Sequence, residues 1–169
     1  MATSVFDLFR IGLGPSSSHT VGPMRAAREF ALGLAEAGRL EAVAAVRVEL
    51  FGSLAATARG HGTDRAVVLG LLGERPDELD PGHATELVRT VSESGQLLLL
   101  GRQPVPFRSE EHLRLEPRPL PFHPNALRLT ALDGGGATLS ARTFFSIGGG
   151  FVVEEGRESV GTADGPPLP

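Results

Sequence analysis

The chain has 169 residues, 41% of them hydrophobic and 21% charged, with a net charge of -4 from 16 Lys plus Arg against 20 Asp plus Glu. That length supports one domain with a substantial core, and the lack of a basic cluster argues against nucleic acid as a partner. Zero Cys excludes disulfides, thiolate zinc sites and an iron-sulfur cluster ligated by cysteines of this chain, and no apolar run approaches the ~20 residues of a membrane span.

The opening MATSVFDLFRIGLG lacks the basic patch, apolar stretch and small-residue cleavage site of a secretory signal, which points to the cytoplasm. Within residues 3–11, Val5, Phe6, Leu8, Phe9 and Ile11 suit a short helix or strand. From Val21 to Ala37, Met24, Ala27, Ala31 and Leu34 recur at helical spacing with Arg25, Arg28, Glu29 and Glu36 between them, and Gly38 stops the pattern. This predicts an amphipathic helix, with Ser17, Ser18 and Thr20 as candidate caps and Pro23 in its first turn.

Residues 44–51, AAVRVELF, place Val46, Val48 and Leu50 opposite Arg47 and Glu49, the alternation of a half-buried strand ended by Gly52. Further helices are expected from Thr63 to Leu72 and within 83–94, where Leu87, Val88 and Val91 form the apolar face. Leu113 and Leu115 flank Arg114, and Leu127, Leu129 and Ala131 alternate with Arg128 and Thr130 before Asp133-Gly134-Gly135-Gly136. These read as strands, and the glycine run followed by ATLSARTFFSI predicts an antiparallel hairpin. Helices early and antiparallel strands late predict an α+β fold, a mixed or antiparallel sheet with helices packed on one face. Residues 1–155 read as the domain, and 156–169, which lose the hydrophobic pattern and end Pro-rich, as a flexible tail or a truncated linker.

Three motifs offer chemistry. In Gly12-Leu13-Gly14-Pro15-Ser16-Ser17-Ser18-His19-Thr20, glycines, consecutive hydroxyls and a helix start coincide, which makes an anion cradle of backbone N–H groups and seryl hydroxyls. It is neither a Walker loop nor a dinucleotide fingerprint, and helix capping alone would also account for the serines. In Phe51-Gly52-Ser53-Leu54 with Gly60-His61-Gly62-Thr63-Asp64, a strand end is followed by a histidine between glycines, where an imidazole can approach a ligand closely and act as a general base. Taken alone it reads rather as an exposed turn histidine. The third joins Phe122-His123-Pro124-Asn125 to Ser146-Ile147-Gly148-Gly149-Gly150-Phe151. His83 and His112 read as surface residues. No Gly-x-Ser-x-Gly and no His-Glu-x-x-His is present to build a hydrolase elbow or a zinc enzyme.

Read together, SVFDLFRIGLGPSSSHTVGPM, FGSLAATARGHGTDRAVVLGL, FHPNALRL and FFSIGGGFVVEE resemble the beta portion of the bacterial iron-sulfur L-serine dehydratases, in the same order and over nearly everything from Ser4 to about Glu155. The resemblance implies conversion of L-serine to pyruvate and ammonia, with a 4Fe-4S cluster held by a cluster-bearing alpha subunit or domain and none bound by this chain. It implies His19, His61 and His123 as active-site histidines, with His61 the preferred base. It also implies Ser16, Ser17, Ser18, Thr20, Ser53 and Asn125 as substrate contacts, and a homodimer. The family's beta portion is similar to an allosteric substrate-binding domain of some phosphoglycerate dehydrogenases. The chain then reads as either a separate beta subunit or a fragment of a fused one, and a non-catalytic serine-binding or dimerisation module is the rival function.

Overall fold

The computed structural model describes residues 18–59, 62–156 and 159–160. Helix α1 (Val21–Glu36) follows the predicted periodicity, burying Met24, Ala27, Phe30, Ala31 and Leu34 along one stripe. Strand β1 (Ala45–Gly52) alternates as expected, and the short helix α2 (Ser53–Thr57) leaves directly from its end. Helix α3 (Thr63–Leu71) packs on α1, and α4 (Pro81–Ser94) packs on α3. The last of these begins two residues before the expected window. Asp80 caps it by accepting from the His83 amide at 3.0 Å, and Pro81 supplies the first turn with a φ already helical.

A hairpin of β2 (Gln96–Leu99) and β3 (Gln103–Pro106) comes next, then a single turn α5 (Ser109–His112) and β4 (Leu113–Glu116). In α5, His112 accepts the Arg108 amide at its Nδ1 and stacks on Phe107, so it is a local structural residue. The chain continues through β5 (Asn125–Leu132), β6 (Thr138–Gly148), β7 (Phe151–Glu154) and β8 (Ser159–Val160). The sheet order is β4-β1-β5-β6-β7-β8, with β4 parallel to β1 and the other neighbours antiparallel. The fold is α+β with a mixed sheet. Strand β8 falls inside the stretch read as a tail, most of which lies outside the described residues, as does the 3–11 segment.

Strand alternation divides the sheet into two unlike faces. Val46, Val48 and Leu50 of β1, Leu127, Leu129 and Ala131 of β5 and Phe144 of β6 join α1 and α3 in one core cluster. Fully burying a side chain such as Phe30 there contributes about 1.5–3 kcal/mol. The other face pairs Glu49 with Arg128 and Arg128 with Thr143, and gathers Phe51, Ala126 and Phe145 into a smaller cluster beneath Leu120 and Ile147. At the margin of the helical face the Arg142 guanidinium meets both carboxylate oxygens of Glu154, at 2.5 and 3.1 Å, and donates to the Glu29 carbonyl of α1. This ion pair pins the middle of α1 to β6 and β7. No described helix is long and apolar enough to cross a membrane.

Candidate active site

One end of the sheet gathers several of the candidate residues, because β1 ends and β5 begins there: Gly52 pairs with Asn125. Gly52 has φ 56°, and a Cβ on it would lie 2.7 Å from the Pro124 carbonyl oxygen. Only glycine fits that close approach in that conformation. The same carbonyl accepts the Ser53 amide at 3.0 Å, so the start of α2 is tied to the His123-Pro124 turn. From there the Ser53 hydroxyl faces His19 Nε2 at 3.5 Å, which brings the first motif to the second.

His19 is held from three sides. Its Nδ1 lies 2.5 Å from the Thr57 hydroxyl, and Thr57 donates in turn to the Ser53 carbonyl at 2.9 Å. Its own carbonyl accepts the Thr63 hydroxyl at 2.6 Å from the first turn of α3. The ring is half-buried between α2 and the entry to α1. His123 is also half-buried, and its Nδ1 accepts the Asn125 amide at 3.0 Å.

Of the other predicted residues, Ser18 is half-buried in the turn before α1, and Thr20 is buried at the cap position. The Thr20 side chain does not cap α1. Its φ of -128° and ψ of -66° depart from the extended conformation that aims a hydroxyl at the first helical amides, and its carbonyl instead accepts the Met24 amide. Ser53 opens α2 and Asn125 opens β5, each half-buried. Ser16, Ser17 and His61 lie outside the described residues.

Four further residues shape this end of the fold. Thr57 and Thr63 hold His19. Ser146, fully buried on β6, turns its hydroxyl toward Gly22 in the first turn of α1 and has no hydrogen-bond partner among the described residues. Arg25, one turn into α1, donates at 2.9 Å to the Gly150 carbonyl in the tight turn between β6 and β7. There Gly149 and Gly150 both have positive φ, as a two-residue turn of this hand requires. The third motif therefore touches the helix that follows the first through Gly22 and Arg25, and the second through Ser53.

Next to Gly62 and Thr63, burial pushes the Asp64 carboxyl above its ordinary range, against the opposing hydrogen bond from the Arg65 amide and the charge of Arg65. Asp64 and Arg65 line a cavity of about 220 Å³ with Phe107 and Arg108, set off from His19.

A model of the serine dehydratase beta chain family matches residues 4–157. The chain belongs to that family. It is 53% identical over 156 residues to an L-serine dehydratase of Streptomyces coelicolor, covering 92% of this chain and 34% of that protein. An L-serine dehydratase of Mycobacterium tuberculosis matches at 49% with the same coverage, and L-serine dehydratase 1 of Escherichia coli at 43% over 90% of this chain and 34% of its own length. The chain thus spans about a third of these relatives.

Proposed function

We propose that this chain is the beta portion of an L-serine dehydratase, converting L-serine to pyruvate and ammonia together with a cluster-bearing alpha subunit or domain. The observation that supports this best is the junction at Ser53, whose hydroxyl faces His19 and whose amide donates to the carbonyl following His123. Imidazoles and hydroxyls from separated motifs share one end of the sheet.

In this reading Ser16, Ser17, Ser18 and Thr20 take the substrate carboxylate at the N-terminal end of α1, where the helix dipole favours an anion. Ser53 and Asn125 complete the contacts. His61 removes the α-proton, with His19 able to exchange roles with it, and His123 is the third active-site histidine. Hydroxide leaves, and the resulting aminoacrylate tautomerises and hydrolyses to pyruvate and ammonia.

The 4Fe-4S cluster that the family implies does not fit the donors of this chain. There is no Cys, and among the described residues no group of three or more His, Cys, Asp or Glu is arranged to hold a metal ion. The ligands belong to the partner portion, where the cluster would supply Lewis-acid polarisation of the leaving hydroxyl. That portion accounts for the two thirds of the relatives that this chain does not span. It closes over the rim marked by Phe122, which is 67% exposed beside His123 and packs on Phe145 at 4.7 Å. The assembled enzyme is a cytoplasmic homodimer.

The test measures pyruvate from L-serine under anaerobic conditions, with the chain alone, with the partner portion added, and with His61→Ala or His19→Ala in the assembly. Silence of the chain alone, recovery with the partner and loss on substitution are expected. A His61→Ala assembly with full turnover and an altered serine dependence would make the domain a sensor instead.

A further inference from the structure

The two described histidines of the site have different hydrogen-bond partners, and the partners dictate different tautomers. Thr57 has one hydroxyl hydrogen, and it is committed to the Ser53 carbonyl of the preceding helical turn. At His19 the Thr57 oxygen is therefore an acceptor, so Nδ1 carries the hydrogen between them. In the neutral ring this leaves Nε2, the nitrogen turned toward Ser53, as the atom that accepts a proton. At His123 the logic reverses. A backbone amide can only donate, so Nδ1 receiving the Asn125 N–H is unprotonated, and Nε2 carries the hydrogen.

We infer that His19 and His123 are poised in opposite senses, His19 presenting a basic Nε2 and His123 an Nε2–H donor, and that Thr57 is the positioning residue for His19. Each assignment is built into the fold. The Asn125 amide sits where β5 begins, fixed by the Gly52 pairing, and Thr57 sits four residues after Ser53 on α2, so that one hydroxyl bridges the helix backbone and the ring. The Thr63 hydroxyl on the His19 carbonyl holds the backbone that carries the ring. The assignment deepens the dehydratase reading and rests on it for its catalytic meaning. It removes His123 from the candidates for the base, leaves His61 and His19, and gives His123 the task of donating a hydrogen bond to substrate or departing group.

Two experiments decide this. Long-range proton–nitrogen correlation NMR on the 169-residue chain with nitrogen-labelled histidine, at a pH where the rings are neutral, reads each tautomer without substrate. Nδ1–H at His19 and Nε2–H at His123 are expected, with the His19 signal becoming a mixture in Thr57→Val and recovering in Thr57→Ser. The reverse tautomer at either ring overturns its assignment, and an unchanged His19 signal in Thr57→Val overturns the role of Thr57. In the assembled enzyme, Thr57→Val should lower kcat about tenfold with KM within about twofold, part of the roughly 10²–10⁴-fold that a placed base supplies, and Thr57→Ser should restore it. His123→Gln, which keeps a donor near the place of Nε2, should retain more turnover than His123→Ala, whereas His19→Gln, which cannot accept a proton, should be as slow as His19→Ala. His123→Gln no better than His123→Ala overturns the donor role. A wild-type assembly that makes no pyruvate would end the dehydratase reading and the catalytic half of the inference with it, while the NMR result still decides the tautomers.

Discussion

A Cβ placed on Gly22 would lie 1.9 Å from the Ser146 hydroxyl oxygen and 2.9 Å from the Ser146 Cβ. The first turn of α1 thus rests directly on β6, three residues beyond His19. Rotating the serine would relieve the oxygen contact but not the Cβ contact, so Gly22→Ala must displace either the helix start or the strand. We expect a loss of about 1–3 kcal/mol in denaturant unfolding, the usual cost of overpacking. Adding Ser146→Gly, which removes both offending atoms, should recover part of that loss, with a coupling of at least about 1 kcal/mol between the two sites. Additive effects would show that the contact does not set the helix position.

The Arg142–Glu154 pair differs from the exposed ion pairs of this chain. Its side chains are 16% and 7% exposed, and the guanidinium lies 5.0 Å from the centre of the Phe144 ring while also donating to α1. Removing one partner leaves the other charge uncompensated in a poorly solvated place. Glu154→Ala should therefore cost about 3–5 kcal/mol. Glu86→Ala, which breaks an i,i+3 pair with Arg89 on the exposed face of α4, should leave the unfolding midpoint nearly unchanged. Equal losses in the two variants would overturn the distinction.

Much of this architecture is legible in the sequence, and the parts that are not have physical reasons. The α1 stripe and the β1 alternation are visible because each element has one buried face, so its period is written in its residues. The β2–β3 hairpin is hidden because Leu97, Leu98 and Leu99 look alike although only Leu97 and Leu99 are buried, and because Pro104 and Pro106 read as breakers where the structure uses them on a two-stranded ribbon. At the site, Ser53 and Asn125 stand in recognisable motifs. Thr57 does not, for its importance comes from a helical turn that returns its hydroxyl to the Ser53 carbonyl and the His19 ring. The Gly22–Ser146 contact is a matter of tertiary packing alone, and neither residue type announces it.

Asp64 gives a pH test with a defined sign. Burial raises its folded pKa above the unfolded value, so the folded state is favoured when the carboxyl is protonated. That contribution is complete below the ordinary aspartate range and is lost as pH rises through the raised folded value. Asp64→Asn removes the ionisation while keeping an oxygen to accept the Arg65 amide. The variant should melt at a higher temperature than the parent at neutral pH, and the gap should close as the pH falls below the ordinary aspartate range. A gap that stays constant across that window would assign the effect to something other than the Asp64 charge.

Phe122 tests the proposed assembly. A phenylalanine 67% exposed, its ring tilted against that of Phe145 and adjacent to His123, lies over the cluster of Phe51, Ala126 and Phe145 on the sheet face opposite α1. Next to it, Phe145, Val153, Glu154 and Glu155 line a cavity of about 330 Å³ open to the surface. One exposed ring with a few partly buried neighbours is small beside the roughly 1,600 Å² that a stable, self-complementary dimer buries. As one anchor at the rim of a larger closure it is adequate. In the proposed assembly the closing body is the portion that makes up the remaining two thirds of the relatives, because whatever covers a site next to His123 must also meet Phe122. A photo-reactive phenylalanine analogue at position 122 of the assembled enzyme should cross-link to a peptide from that portion, identified by mass spectrometry. The same analogue at Glu93, on the exposed side of α4, should not. Capture of a peptide from a second copy of these 169 residues would place a homodimer contact at this rim instead, and no cross-link in an assembly that turns over L-serine would show that Phe122 stays in solvent.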